Sequence, residues 1–123
     1  MTRTGILIAD DFPLFRKGVR EFLETQPGYE VVGEAATGRE ALVKAEHLKP
    51  HVVILDISMP ELNGLEATRE ILQAVPETEV LVLTLHESED FVHKVLEAGA
   101  RGYVLKSDAE PTLLGGHRGS SPT

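Results

Sequence analysis

The chain has 123 residues, 41% of them hydrophobic and 26% charged, a size that suits one domain around one core. A formal net charge of −8 and the absence of cysteine argue against a nucleic-acid-binding face, a disulfide framework and a thiolate metal site. No apolar run approaches the ~20 residues that span a bilayer, and MTRTGILIADD meets acid too soon to be a signal peptide, so the expected residence is cytoplasmic, away from the membrane.

In chain order, GILIAD (5–10) reads as a strand, and PLFRKGVREFLE (13–24) as a helix with Phe15, Val19, Phe22 and Leu23 on its apolar face. YEVVGEA (29–35) is the second strand, after the Pro27-Gly28 turn signal. Thr37-Gly-Arg-Glu40 forms a capping box that opens a helix carrying Ala41, Leu42, Ala45 and Leu48. VVILD (52–56) is an aliphatic strand of the kind buried in parallel sheets. Asn63-Gly-Leu-Glu66 starts a third helix with Ala67, Ile71, Leu72 and Val75. TEVLVLT (78–84) is the fourth strand. Ser88 caps a helix with Phe91, Val92, Val95 and Leu96 that stops at Gly99, and GYVLK (102–106) is the fifth strand. DAEPTLL (108–114) begins like a fifth helix but runs into GGHRGSSPT, so that helix is expected to be a stub. The expected division is therefore a domain over 1–114 and a flexible Gly/Ser/Pro tail over 115–123.

Strands alternating with helices predict an α/β fold, a doubly wound five-stranded parallel sheet with helices on both faces. Right-handed crossovers bring every strand's carboxyl end to one edge, where ligands bind near the point at which strand order reverses. That edge collects Asp10 and Asp11 from the first strand, Asp56 from the third, Thr84 from the fourth and Lys106 from the fifth. Three carboxylates ~5 Å apart repel by roughly 3 kcal/mol per pair at an effective dielectric of 20. Lys106 and a divalent cation would offset this repulsion. Oxygen donors without His or Cys select Mg²⁺ or Mn²⁺ over zinc, and the carbonyl of Ser58 is placed to add a further oxygen. A carboxylate can act as nucleophile and hold an aspartyl-phosphate, while cation, lysine and hydroxyl stabilise the phosphoryl oxygens. Asp56, alone on its strand, is the best-placed nucleophile.

Each residue also has a plainer role to weigh. A lone Asp at a strand end commonly caps or sits in a loop, Asp10-Asp11 could cap the first helix, Thr84 is an ordinary strand residue, and Tyr103 could simply pack. Met59-Pro60 shapes a loop. The five histidines show no ligand spacing. The combination at one edge is what favours the functional reading.

IADD, VVILDISMPELNGLEATR, VLTL and ARGYVLK together resemble the CheY-like receiver domain of bacterial response regulators over roughly residues 4–114. DDFPLFRKGVREFL and GYVLKSDAE look most like the LuxR/FixJ-type (NarL-like) branch, whose full-length members carry a helix-turn-helix. The resemblance implies a flavodoxin-like strand order 2-1-3-4-5, with Asp56 as phosphoacceptor from a histidine kinase. It further implies Asp11 as a direct Mg²⁺ ligand, Asp10 acting through water, Thr84 and Lys106 on the phosphoryl group, and Tyr103 with Thr84 as the switch of the fourth helix and fifth strand. Phosphorylation would then control a transcriptional output absent from this chain, with DNA bound only through the missing domain. Phe12 stands where this branch often has His, and Ser107 replaces a common proline, so a trans bond is expected there. The stubbed fifth helix predicts self-association, as a homodimer, or reduced stability.

An alternative is an aspartyl-phosphate phosphatase or phosphotransferase of haloacid-dehalogenase type. That class needs a second Asp two residues after the nucleophile, and Ser58 stands there. Nucleotide or flavin binding is weaker still, because no GxxxxGK[ST] or GxGxxG follows any strand. The expected activity is not that of an enzyme beyond the chain's own phosphorylation and dephosphorylation.

Overall fold

A computed structural model of the chain describes residues 3–57, 63–84 and 89–105. Its elements are β1 (Thr4–Ala9), α1 (Pro13–Glu24), β2 (Tyr29–Ala35), α2 (Gly38–Leu48), β3 (Val52–Asp56), α3 (Gly64–Ala74), β4 (Glu79–Thr84), α4 (Glu89–Glu97) and β5 (Gly102–Leu105). The strands form one sheet in the order β2-β1-β3-β4-β5, and every neighbouring pair is parallel. This is the predicted doubly wound sheet. The expected fifth helix (108–114) and tail (115–123) lie outside the described residues, among which there are four helices.

Local chemistry explains where the elements begin and end. Thr37 caps α2 by accepting the Glu40 N–H at 3.0 Å. Glu40 reaches back to the Ala36 N–H at 2.8 Å, one residue earlier than a standard capping box would have it. Asn63 caps α3 by accepting the Glu66 N–H at 3.0 Å. Helix α4 ends before Gly99, whose φ of 108° is a left-handed conformation that glycine takes without cost. The predicted cap Ser88 lies outside the described residues.

Two strands start or stop elsewhere than the sequence suggests. β1 ends at Ala9, leaving Asp10 just past the strand. β4 begins at Glu79 because Thr78 turns its hydroxyl to the Pro50 carbonyl at 2.7 Å.

Two apolar clusters lie on the two faces of the sheet. The larger takes its helical members from α2, α3 and α4, with Ala41, Ala45, Ala67, Ile71 and Val95 packed on Leu7, Val53, Leu55, Val80 and Val82. The smaller joins Phe15 and Val19 of α1 to Ile6, Ile8, Val31 and Leu83. On that side Val52 and Ile54 are only partly buried, so the aliphatic run of β3 is fully enclosed on one face only. Phe22, Leu48 and Leu96, expected in the core, are 38%, 42% and 47% exposed. Each lies at the margin of its helix's apolar stripe, and Leu48 keeps one edge over Gly33 of β2, where an added Cβ would come within 2.8 Å of its Cδ1. No helix among the described residues is long and apolar enough to cross a membrane.

Candidate functional site

Strand order reverses between β1 and β3. From β1 the chain crosses to β2 on one side, and β3 returns to β1's other side. Ala9 pairs with Leu55, so the next residue of each strand, Asp10 and Asp56, arrives at the same end of the sheet. β4 lies beside β3, with Leu83 opposite Asp56 and Thr84 following. Aliphatic neighbours on β1, β3 and β4 hold these strand ends rigidly, and the polar residues are carried at their tips. Asp10, Asp56 and Thr84 are buried to 0%, 2% and 1% exposure, whereas Asp11 faces solvent.

Asp10, Asp11 and Asp56 each offer one carboxylate oxygen, and the three oxygens lie within 4.8 Å of one another. Such proximity of like charges is unfavourable without a nearby cation. Among the described residues the donor set consists of oxygen alone, and it fits a hard divalent cation such as Mg²⁺ or Mn²⁺. Two buried carboxylates, Asp10 and Asp56, beside the exposed Asp11 also leave a route from solvent to the group.

Asp10 has a second task. Its Oδ1 accepts the Phe12 N–H at 2.8 Å, at a helix start where the N-cap Phe12 provides no side-chain bond. This is an Asx-type turn leading into α1 rather than a cap on its first turn, and it coexists with the acidic-group role in one residue. Tyr103 is half buried and packs against the larger cluster, opposite Val82. Ser58 and Lys106 lie outside the described residues, as do Met59, Pro60 and His86.

Sequence reasoning passed over Arg16 and Glu34. Arg16 Nη1 donates to the Asp10 carbonyl oxygen at 2.5 Å and Arg16 Nε to Glu34 Oε1 at 3.0 Å. Arg20 completes the group with a second ion pair to Glu34. Burial pushes the Glu34 carboxyl up, but the hydrogen bonds from Arg20 and Arg16 outweigh it and hold the group below its ordinary value. The available signal was two arginines one helical turn apart together with an acid near the carboxyl end of the neighbouring strand.

The fold and site together define a doubly wound α/β domain that presents an acidic group at its topological switch point. The chain belongs to the response regulator receiver domain family, whose family model matches residues 6–115. It is 49% identical over 109 residues to the uncharacterized transcriptional regulatory protein YhcZ of Bacillus subtilis, covering 89% of this chain and 50% of that protein. It is 46% identical over 109 residues to the transcriptional regulatory protein DegU of Brevibacillus brevis, covering 89% and 46%. A LuxR-family two-component response regulator from Aurantimonas sp. SI85-9A1 superposes with a TM-score of 0.81 at 38% identity, over 98% of this chain and 91% of that one. The signal receiver domain of the response regulator NarL from Mycobacterium tuberculosis gives 0.81 at 29% identity, over 94% and 100%.

The chain spans about half the length of the curated relatives it matches. These relatives are transcriptional regulators, and the LuxR/NarL-type branch expected from the sequence stands. The haloacid-dehalogenase alternative finds no support among them.

Proposed function

We propose that Asp56 is the phosphoacceptor of a two-component switch, receiving its phosphoryl group from a phosphohistidine of a histidine kinase. The observation that carries this reading is the convergence of the Asp10, Asp11 and Asp56 carboxylates within 4.8 Å at the sheet's switch point. Asp10, Asp11, Asp56 and the Ser58 carbonyl would hold Mg²⁺ or Mn²⁺. The cation supplies charge neutralisation for the acidic group and for the incoming phosphoryl oxygens.

A carboxylate oxygen of Asp56 attacks phosphorus, the bond from phosphorus to the imidazole nitrogen breaks, and the electron pair leaves with the imidazole. Thr84 donates its hydroxyl to a phosphoryl oxygen and Lys106 pairs with another. Burial of Asp56 and Thr84 supports this division of labour, because fixed donors act more strongly where water is excluded. Movement of Thr84 toward the phosphoryl group lets Tyr103 turn inward and remodels the face of α4 and β5.

The receiver occupies residues 1–114. It works in the cytoplasm and catalyses nothing beyond its own phosphorylation and dephosphorylation. It binds no nucleic acid itself and controls transcription through a helix-turn-helix domain outside this chain. It self-associates as a homodimer.

Incubation with Mg²⁺ and acetyl phosphate, followed by intact mass, tests the assignment. The expected result is one phosphate adduct, absent in Asp56→Asn. An adduct that persists in Asp56→Asn, or none on the parent chain, refutes it. Light scattering on the same samples checks the homodimer, and a monomer with and without acetyl phosphate overturns it.

A further inference from the structure

Asp10 and Asp11 stand on the short connection from β1 to α1, and a cation site built from both needs that connection held still. The start of α1 gives limited support, since the N-cap Phe12 has no side-chain oxygen to bond the first turn. The turn is already held by the Asp10 N–H, which donates to the Ala35 carbonyl of β2 at 2.9 Å, and by Asp10 Oδ1, which accepts the Phe12 N–H. Arg16, one turn into α1, adds a side-chain restraint to these. Its guanidinium spans two partners, the Asp10 carbonyl oxygen at 2.5 Å and Glu34 Oε1 at 3.0 Å. Glu34 belongs to β2, a strand hydrogen-bonded to β1, and its own carbonyl accepts from the Lys44 ammonium. The side chains of Arg16 and Glu34 are 18% and 26% exposed, so this bridge is largely shielded from competing water. The acidic turn is thereby tied to the sheet through a side chain that never touches the carboxylates.

We infer that Arg16 is a positioning residue for the divalent cation, holding the Asp10-Asp11 turn in cation-binding geometry through its bridge from the Asp10 carbonyl to Glu34. This rests on the reading of Asp10, Asp11 and Asp56 as the cation site. A planar fork serves two partners in different directions, which a lysine ammonium on a flexible stem does not reproduce. Charge alone would act in the opposite sense. A positive group beside three carboxylates competes with a cation, so its removal by electrostatics alone would tighten cation binding. The direction of the change separates the two effects. Groups that orient metal ligands from outside the coordination sphere typically contribute 10–100-fold in affinity.

The test is Mn²⁺ titration of the full 123-residue chain by electron paramagnetic resonance, alongside Arg16→Ala and Arg16→Lys. Circular dichroism melting keeps each titration well below the unfolding transition, and acetyl phosphate labelling of Asp56 is followed by mass in parallel. The parent chain is expected to bind Mn²⁺ and take the adduct. Both variants are expected to bind Mn²⁺ about 10-fold more weakly or worse while still folded. Unchanged or tighter binding in Arg16→Ala overturns the inference, as does full recovery in Arg16→Lys. Should Arg16→Ala fail to fold, the comparison of Arg16→Lys with the parent chain decides it. A parent chain that takes up neither Mn²⁺ nor phosphate defeats the reading of the site itself, an outcome distinct from a loss confined to the variants.

Discussion

Asp10 and Gly64 are the residues at which backbone and site are most closely joined. Asp10 accepts the N–H of the N-cap residue Phe12 through Oδ1, is held through its carbonyl by Arg16, and still contributes a carboxylate oxygen to the acidic group. Gly64 closes the excursion after Asp56, donating its N–H to the Ile57 carbonyl at 3.0 Å. A Cβ at Gly64 would sit 2.5 Å from Ile57 Cα, a clash with backbone that no rotamer change relieves. Gly64→Ala is therefore expected to cost about 1–3 kcal/mol and lower Tm by roughly 4 °C or more. Thermal denaturation checks this, and an unchanged Tm would show that the junction relaxes freely. The Asn63-Gly64 pair read from the sequence as a helix start is that, but the need for glycine comes from Ile57, a neighbour visible only in the fold.

Between elements, charge joins α1 to β2. Glu34 accepts from both Arg16 and Arg20, and those bonds hold its carboxyl below the usual 4.5 despite the opposing effect of burial. Glu40, bonded to the Ala36 N–H and paired with Lys44, is lowered too. A carboxyl with a depressed folded-state value contributes stability that is full above its unfolded value and is lost as pH falls through the folded one. Both groups thus make the domain less stable below about pH 4.5. Glu34→Gln should flatten the fall in stability below that pH relative to the parent chain. Urea melts at pH 6 and at pH 4 measure this, and parallel losses in the two proteins would remove Glu34 from the account. The exposed His93–Glu97 pair, at 76% and 65% side-chain exposure, should contribute little, since surface pairs are well solvated.

At the scale of the whole molecule, the described residues fill the two faces of the sheet unequally. Ile71 of α3 is fully buried in the larger cluster, while Phe22 of α1 is 38% exposed beside the smaller one. Ile71→Ala leaves a cavity and is expected to cost about 2–5 kcal/mol. Phe22→Ala should cost less, about 1–2 kcal/mol, because more than a third of the residue stays in water. Chemical denaturation of the two variants checks the ranking, and equal costs would mean that the α1 face is as tightly packed as the other.

The amino-acid sequence by itself determined the alternation of strands and helices, the parallel sheet, and the arrival of Asp10, Asp56 and Thr84 at one end of it. Those features depend on local periodicity, on caps such as Thr37 and Asn63, and on the handedness of crossovers, all of which are encoded within a few residues. The same local rules overestimated the core at Phe22, Leu48 and Leu96, because helical spacing marks an apolar stripe without saying how wide the facing sheet will be. Tertiary structure alone decided which of the three carboxylates is exposed, Asp11, that Gly64 lies against Ile57, and that Arg16 reaches both Asp10 and Glu34. Each depends on segments far apart in the chain or on side chains whose direction is set by packing, and no spacing rule along the sequence measures that.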